Sequence, residues 1–330
     1  MSHGITIAYD LSIALVCTFA LVLSIVLIII CRKRPVEPKE KLEVKLSAQP
    51  CPLVDVHVAT DGFNPHRIIG EGRLGTVYIA ISSNGDAFAV KRINSRFVLN
   101  NAGFGFTSIL KSLSLAHHPN IVPIIGFSEA PGERIILMEF MGMKSLEFYL
   151  HQNPLGAHSL NWGRRLRIAA GIARGIEYLH ESMAPSVVHG CVKPSNILVD
   201  VSFCARICDY GLSFLAPKER RGLVGYVDRE YWSEKGAVCK ASDVYGFGTV
   251  LLELLTGRMC EEGLLVEWAL PLIRNMRIVE ILDPSLQIPF DMKPLIRLAK
   301  VASACVSNTR VHRPTIVQVA AILNNLEKQL

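Results

Sequence analysis

"IIGEGRLGTVYIAISSNGDAFAVKRI", residues 68–93, is the stretch that decides the fold. It opens with three glycines at the GxGxxG spacing, Gly70, Gly72 and Gly75. That spacing alone is a weak signal, because a dinucleotide-binding fold also needs a helix directly after the glycines. Here the glycines are followed by "TVYIAI", which is β-branched and aromatic and therefore typical of a strand.

The second half of the same stretch predicts how that strand continues. Asn84-Gly85 is the dipeptide favoured in tight hairpin turns, and "AFAVKRI" after it is typical of another strand. The glycines are therefore predicted to form a loop between two antiparallel strands, with Lys91 on the strand that follows. This arrangement lays a backbone flap over phosphate groups.

Composition sets the class of protein. The chain has 330 residues, half of them apolar, with a formal net charge of +6. This excludes a disordered chain, and the modest, scattered charge argues against a nucleic-acid partner. The nine cysteines are an odd number without metal-ligand spacing, which favours reduced thiols over disulfides or a zinc site.

An uncharged run lies near the N-terminus. Residues 11–31 would span about 31 Å as a helix, the thickness of a hydrocarbon core. Three basic residues, 32–34, follow directly, so the positive-inside rule places residues 1–10 outside and the long C-terminal part in the cytoplasm. A cleaved signal peptide or a buried core helix are the alternatives. The former lacks a basic start and a cleavage site, and the latter is rarely so long.

Residues 32–66 are predicted to be a juxtamembrane linker. Prolines scattered between residues 35 and 52 disfavour a long helix, and the basic start can contact anionic lipid headgroups. Cys31 at the membrane boundary is either S-acylated or unmodified. A short helix or turn over "VHVATDGFN", residues 56–64, leads into the globular part.

Five further motifs occur in one order along the chain: "HPNIVPIIGF", "LMEFMGMKSLEFYL", "LNWGRRLRIAAGIARGIEYLHE", "SDVYGFGTVLLELLTGR" and "RVHRPT". With these, Ile68 to Leu326 resembles the eukaryotic protein kinases, and in detail the plant receptor-like (Pelle-related) kinases. The resemblance implies an α+β, bilobal fold over residues 67–330, preceded by the transmembrane helix. Residues 67–140 would form a small antiparallel β N-lobe and residues 141–330 a mainly helical C-lobe.

The resemblance also implies a nucleotide site for ATP and Mg²⁺. Lys91 would contact the α- and β-phosphates, Lys193 the γ-phosphate, and Asn196 and Asp209 would hold the metal. The residues at nucleotide-binding positions are Ile69, Gly70, Gly72, Gly75, Val77, Ala89, Lys91, Met138, Glu139, Lys193 and Asn196.

The chain departs from the family pattern at the N-lobe helix. The glutamate that would hold Lys91 should lie nine residues before His118, where the chain has Ile109. There is no Asp or Glu between Arg92 and Ser128, so no neighbour can replace it. The glycine-rich segment "NAGFGF", residues 101–106, disfavours a long helix.

The catalytic loop departs as well. The family's His-Arg-Asp appears as His189-Gly190-Cys191, which removes the base that accepts the substrate proton and the arginine that pairs with a phosphorylated activation loop. That loop, residues 212–227, contains a single serine or threonine, Ser213, and Leu223 stands where the family has a threonine. No catalytic residue is therefore intact. Cys191 could act as a nucleophile only with a lowered pKa, and an inert thiol is the alternative.

Several structural positions of the family are retained: His189, Tyr210, Glu230, Asp243 and Arg313. The resemblance implies that Glu230 and Arg313 form a buried ion pair and that Asp243 supports the catalytic loop.

These features predict a membrane-anchored receptor-like pseudokinase at the plasma membrane, with its kinase-like domain in the cytoplasm. It would act as a signalling adaptor or scaffold for other receptor kinases or signalling proteins, contact membrane lipids and bind ATP. The alternatives are a weakly active serine/threonine kinase and a purely structural module that binds no nucleotide.

Overall fold

The computed structural model describes residues 18–24, 47–100, 105–153, 156, 159–216, 223–232, 237–261 and 263–329. The chain divides into two compact units, residues 1–45 and residues 46–330. In the first unit, residues 18–24 are helical and exposed, and the rest of the predicted membrane segment lies outside the described residues. None of the described helices is both long enough and apolar enough to span a bilayer.

The second unit contains two sheets. Its strands are β1 Gln49–Pro50, β2 Ile68–Glu71, β3 Gly75–Ile81, β4 Ala87–Ile93, β5 Ile124–Ala130, β6 Glu133–Glu139, β7 Lys144–Ser145, β8 Ile197–Val199 and β9 Ala205–Ile207. Six of them form a sheet in the order β1-β5-β6-β4-β3-β2, in which β1 is parallel to β5 and the other pairs are antiparallel. The other three form a small antiparallel sheet, β7-β8-β9.

Most of the helices follow the six-stranded sheet in sequence. They are α1 Leu53–Ala59, α2 Ser95–Asn100, α3 Phe106–Leu113, α4 Trp162–Glu177, α5 Lys240–Thr256, α6 Leu264–Arg274, α7 Lys293–Cys305 and α8 Ile316–Glu327. The antiparallel N-terminal sheet and the helical C-terminal half agree with the predicted α+β architecture. The last strand of the six-stranded sheet in sequence, β6, ends at Glu139, next to residue 140, where the sequence predicts the end of the N-lobe.

The folded domain begins before residue 67, so residues 47–66 are not the linker that the sequence predicts. Strand β1 pairs with β5, and the Ala48 amide donates to Ser114 Oγ over 2.7 Å. In α1, Val56 and Ala59 are buried in a cluster with Tyr78 of β3. Prolines near residue 50 prevent a long helix, but they do not prevent a short edge strand and a short helix from burying apolar side chains.

Helix α5 forms the centre of the C-lobe, and almost all of its residues are buried. It begins with a capping box at Cys239 and Ser242 and ends at Gly257, which has the left-handed conformation that glycine adopts without strain. A continuously apolar sequence is what a helix needs when other elements cover it on every side.

Close packing at Gly248 of α5 leads to a testable prediction. A Cβ at this position would lie 2.6 Å from Cys305 Cβ and 2.8 Å from Val306 Cγ1, on and beside α7. Gly248→Ala is therefore expected to lower the free energy of unfolding by about 1–3 kcal/mol, measured by denaturant unfolding. Gly163→Ala in α4 is the matched control, because its nearest neighbour, Asn161 Oδ1, is 3.7 Å away. Equal stabilities of the two variants would contradict the prediction.

Candidate functional site

The glycine loop joins β2 and β3 as a hairpin. Gly70 lies opposite Val77, and Gly72 and Gly75 exchange backbone hydrogen bonds of 3.0 and 3.3 Å. Position 75 accepts only glycine, because a Cβ would lie 1.9 Å from the Arg92 carbonyl oxygen. A hairpin without a following helix is the arrangement that the sequence predicts, and it places a backbone flap beside Lys91, which lies opposite Val77 on β4.

Two residues at the tip of this loop, which the sequence analysis did not identify, fix its position by contacts with the rest of the domain. Leu74 is buried in the main core, and Arg73 Nη1 donates to the Ala216 carbonyl over 3.2 Å. Ala216 follows the short 3-10 turn Ser213–Leu215, which comes after Asp209 in the chain. The loop is therefore joined to the activation segment on the far side of the cleft, through a contact that only the folded chain reveals.

Lys91 forms a buried ion pair with Asp209. Burial alone would raise the pKa of the Asp209 carboxyl, but the charge and hydrogen bond of Lys91 outweigh it and hold the pKa below its ordinary value. The two side chains are 5% and 14% exposed. The lysine predicted for phosphate and the aspartate predicted for metal thus neutralise each other.

The absence of the helix glutamate explains this pairing. Ile109 lies on α3, where it is half-buried and packs against the core. The N-lobe helix is short, as predicted: α3 has eight residues, and α2 is a separate helix before it. Because the Ile109 side chain is uncharged, it cannot pair with the buried Lys91 ammonium. Asp209 is the carboxylate that does so.

The catalytic loop rests on Asp243 of α5. This buried carboxylate accepts hydrogen bonds from the His189 and Gly190 amides, both at 2.7 Å, and lies 2.7 Å from His180 Nε2. Burial lowers the pKa of His189 despite the nearby carboxylates, which keeps its imidazole neutral. The loop is therefore well supported, although it lacks its base.

Gly190 occupies the position of the family's arginine. Its φ is +81°, and a Cβ would lie 2.9 Å from Ser213 Cβ. A longer side chain at this position would be strained and would collide with the activation segment. Ser213 therefore occupies space beside residue 190 that a side chain longer than glycine would need.

Cys191, at the position of the catalytic aspartate, is buried in an apolar cluster with Leu223 and Val227, and Tyr231 packs against it. Burial raises the pKa of the Cys191 thiol, although Lys193 and Arg73 act in the opposite direction. A neutral thiol in apolar surroundings is neither a general base nor an activated nucleophile.

Lys193 precedes a short 3-10 turn, Pro194–Asn196, and Asn196 is the last residue of that turn. Asn196 Nδ2 donates to the Cys191 carbonyl over 3.0 Å, so part of the amide is used within the loop. Lys193 is half-buried, and among the described residues its ammonium makes no hydrogen bond or ion pair, while its backbone carbonyl accepts the Asn196 amide over 3.0 Å. Its ammonium is therefore available to an anion.

The remaining predicted nucleotide positions lie on or beside the sheet. Ala89 and Met138 are buried cross-strand neighbours on β4 and β6, and Val77 is half-buried on β3. Ile69 is exposed, and the exposed Glu139 donates its amide to the Pro123 carbonyl over 3.1 Å. Val77, Ala89 and Met138 provide an apolar wall of the kind that accepts a flat ring.

Tyr210, which replaces the usual phenylalanine after the metal aspartate, is 1% exposed. Its ring lies in the core, and its hydroxyl donates to the Val122 carbonyl over 3.2 Å. The hydroxyl that distinguishes tyrosine from phenylalanine thus has a partner in the buried environment.

The structure corrects the buried ion pair implied for Glu230. Arg313 Nη1 pairs with Asp228 Oδ2 at 2.8 Å, and Arg310 Nη2 pairs with Asp228 Oδ1 at 2.9 Å. Glu230 is exposed, and its carboxylate lies 3.7 Å from Arg310 Nε. Asp228 is two residues earlier in the chain and is buried, so it, and not Glu230, is the carboxylate that pairs with Arg313, while Glu230 Oε1 accepts the Arg310 amide over 3.1 Å.

This fold and this cleft are those of the protein kinase class. The family model described as "Protein kinase domain" matches residues 63–322. The chain therefore belongs to the protein kinase family, whose members generally use ATP and Mg²⁺.

Comparisons with individual proteins point to plants. The chain is 36% identical over 292 residues to serine/threonine-protein kinase PBS1 of Arabidopsis thaliana, which covers 83% of this chain and 63% of PBS1. It is 37% identical over 287 residues to the probable serine/threonine-protein kinase PBL24 of the same plant, covering 82% and 73%. The chain thus spans less than two thirds of PBS1.

A solved structure shares the fold. It is that of the pseudokinase domain of BIR2, an immune regulator of the RLK/Pelle family, with 31% identity and a TM-score of 0.69. The alignment covers 86% of this chain and 91% of that one.

Proposed function

We propose that this protein is a pseudokinase that acts as a signalling adaptor or scaffold. The observation that supports this most directly is Cys191, buried with Leu223 and Val227 at the position of the catalytic base. Without that base, transfer is expected to fall by about 10²–10⁴. The likeness to the BIR2 pseudokinase domain also supports the proposal, since the framework of the fold is kept in both.

Nucleotide binding is a second part of the proposal. The glycine loop, Lys91 and Lys193 would contact phosphate groups, and the wall of Val77, Ala89 and Met138 would accept the base. Most of the family's nucleotide-binding residues are present, whereas the catalytic base is absent. Bound ATP would therefore not be used for transfer, and it would stabilise the conformation of the scaffold that binds it.

Membrane anchoring is the third part. The uncharged run at residues 11–31 and the basic residues 32–34 would hold the domain at the cytoplasmic face of the plasma membrane. Partners would be other receptor kinases or signalling proteins, together with anionic lipids at the basic segment. We propose no nucleic-acid partner, because the net charge of +6 is modest and scattered.

Phosphate transfer tests the proposal. The full chain in detergent micelles is expected to incorporate no more labelled phosphate into itself or a protein substrate than Asp209→Ala, with PBS1 assayed in parallel as the active control. The weakly active kinase is the competing function. It would be favoured by transfer that exceeds background in the unaltered chain and disappears in Asp209→Ala.

A further inference from the structure

We propose that the activation segment closes the substrate side of the cleft, so that a substrate hydroxyl cannot reach residue 191. The side chains that close it are Leu223 and Val227, called the apolar pair, which share a buried cluster with Cys191. This inference rests on the proposed pseudokinase function and deepens it. The chain would have lost access for a protein substrate as well as its catalytic base.

The chemistry of proton transfer defines where a substrate would have to lie. A general base needs to be about 2.6–3.2 Å from the hydroxyl whose proton it accepts. In a protein kinase that base is an aspartate at the position of Cys191, so the hydroxyl would lie beside the side chain of residue 191. Here Cys191 is 6% exposed, and Leu223 and Val227 are 1% and 5% exposed. The chain's own side chains therefore fill the space that the hydroxyl would need.

One turn of the backbone brings the apolar pair together. The Leu223 carbonyl accepts the Tyr226 amide over 2.9 Å and the Val227 amide over 3.2 Å. The second of these bonds joins residues four apart, as in an α-helix, where residues at this spacing lie on the same face. Leu223 and Val227 therefore present one apolar surface to Cys191.

Buried hydrogen bonds fix this turn to helix α5. Thr249 Oγ1 donates to the Gly225 carbonyl over 3.0 Å, and the Tyr226 hydroxyl donates to Glu253 Oε1 over 2.5 Å. Thr249 and Glu253 are both fully buried. A local opening of the turn would leave these polar groups without partners, which is costly in buried surroundings.

The backbone of the turn is also packed closely on its other contacts. A Cβ at Gly225 would lie 2.9 Å from the Gly263 nitrogen, so the turn rests directly on the residues before α6. Directly after the apolar pair, Asp228 makes its buried ion pair with Arg313. Because the turn is held by contacts within it and after it, the apolar pair is a fixed part of the fold.

This closure limits what a restored base could do. An aspartate at position 191 would place its carboxylate against Leu223 and Val227, and an unpaired charge in apolar surroundings is strongly disfavoured. The leucine at position 223 has no hydroxyl that could donate a hydrogen bond to such a carboxylate. An aspartate at position 191 alone would therefore not restore phosphate transfer.

The test measures access to the Cys191 thiol in the folded full chain in detergent micelles, by iodoacetamide labelling and tandem mass spectrometry. Cys191 should react at least about tenfold more slowly than the exposed Cys204. Leu223→Ala removes most of one side chain of the apolar pair and should raise the labelling rate of Cys191 about tenfold. Cys305, which is fully buried in the core, reports unfolding and should stay unlabelled.

Val224→Ala is the matched control. Val224 lies on the same turn but is 42% exposed and outside the cluster around Cys191, so its truncation should leave the labelling rate of Cys191 unchanged. If Leu223→Ala exposes Cys305, the smaller truncation Leu223→Val takes its place, with a smaller expected increase at Cys191.

Three results would overturn the inference. They are labelling of Cys191 as fast as Cys204 in the unaltered chain, an unchanged rate at Cys191 in the folded Leu223 variant, and phosphate transfer by Cys191→Asp above that of the unaltered chain. None of them contradicts the proposed pseudokinase function, which fails only if the unaltered chain itself transfers phosphate.

Discussion

Asp228→Ala is expected to lower the free energy of unfolding by about 3–5 kcal/mol, since it leaves buried arginine charge without its carboxylate. Asp228 and Arg313 each have side chains that are 1% exposed, and Arg310 makes a second ion pair with the same carboxylate. Denaturant unfolding of the full chain measures the effect.

Glu230→Gln provides the matched control. Glu230 is the carboxylate that the sequence comparison assigns to Arg313, but it is exposed. An exposed ion pair contributes at most about 1 kcal/mol, so this variant should be nearly as stable as the unaltered chain. Similar losses in both variants would show that Asp228 does not have the role assigned to it.

The same ion pairs make stability depend on pH. Burial acts to raise the pKa of Asp228, but hydrogen bonds and charge from Arg310 and Arg313 lower it below its ordinary value. A lowered pKa in the folded state stabilises the fold above the unfolded-state pKa of about 3.9. That contribution is lost as the pH falls below this value, and Asp228→Asn should remove this part of the acid dependence.

Lys91→Met is expected to destabilise the fold by a similar amount, about 3–5 kcal/mol, because Asp209 would remain buried without its cation. The double variant Lys91→Met with Asp209→Asn should recover most of the loss, since neither charge is then left alone. A double-mutant cycle by denaturant unfolding measures the coupling between the two residues.

Lys193→Met is the control for this cycle. Lys193 is a neighbouring lysine of the cleft whose ammonium makes no hydrogen bond or ion pair within the described residues, so the loss of this side chain should change stability by less than about 1 kcal/mol. Additive effects of the Lys91 and Asp209 variants would show that the ion pair of the structure does not stabilise the protein. The cycle needs no nucleotide, so it tests the ion pair by itself.

Local features of the fold were predictable from the sequence. Alternating β-branched residues around the glycines and Asn84-Gly85 predicted the hairpin of β3 and β4, because side-chain pattern and turn chemistry act over a few residues. The short helix α3 was predictable for a similar reason, because the glycines before it disfavour a longer helix. The start of the domain was not, because whether a proline-rich segment packs on a sheet edge depends on partners far along the chain.

Contacts between distant residues needed the folded chain. Arg73 reaches Ala216, Lys91 reaches Asp209, and Arg313 takes Asp228 in place of Glu230. Each pairing depends on which side chains are buried next to each other in the folded chain. Asp228 and Glu230 are only two residues apart in one motif, so the motif alone does not show which of them pairs with Arg313.

The sequence by itself determined the family, the hairpin over the cleft and the loss of the catalytic aspartate at Cys191, since these depend on residue identity and short-range pattern. Only the tertiary structure decided what replaced the lost groups: a lysine paired with Asp209, an apolar cluster around Cys191 and an aspartate that holds two arginines. The physical reason is that a buried charge needs a partner of opposite charge or a hydrogen bond. Which residue provides it depends on which side chains the fold places next to each other.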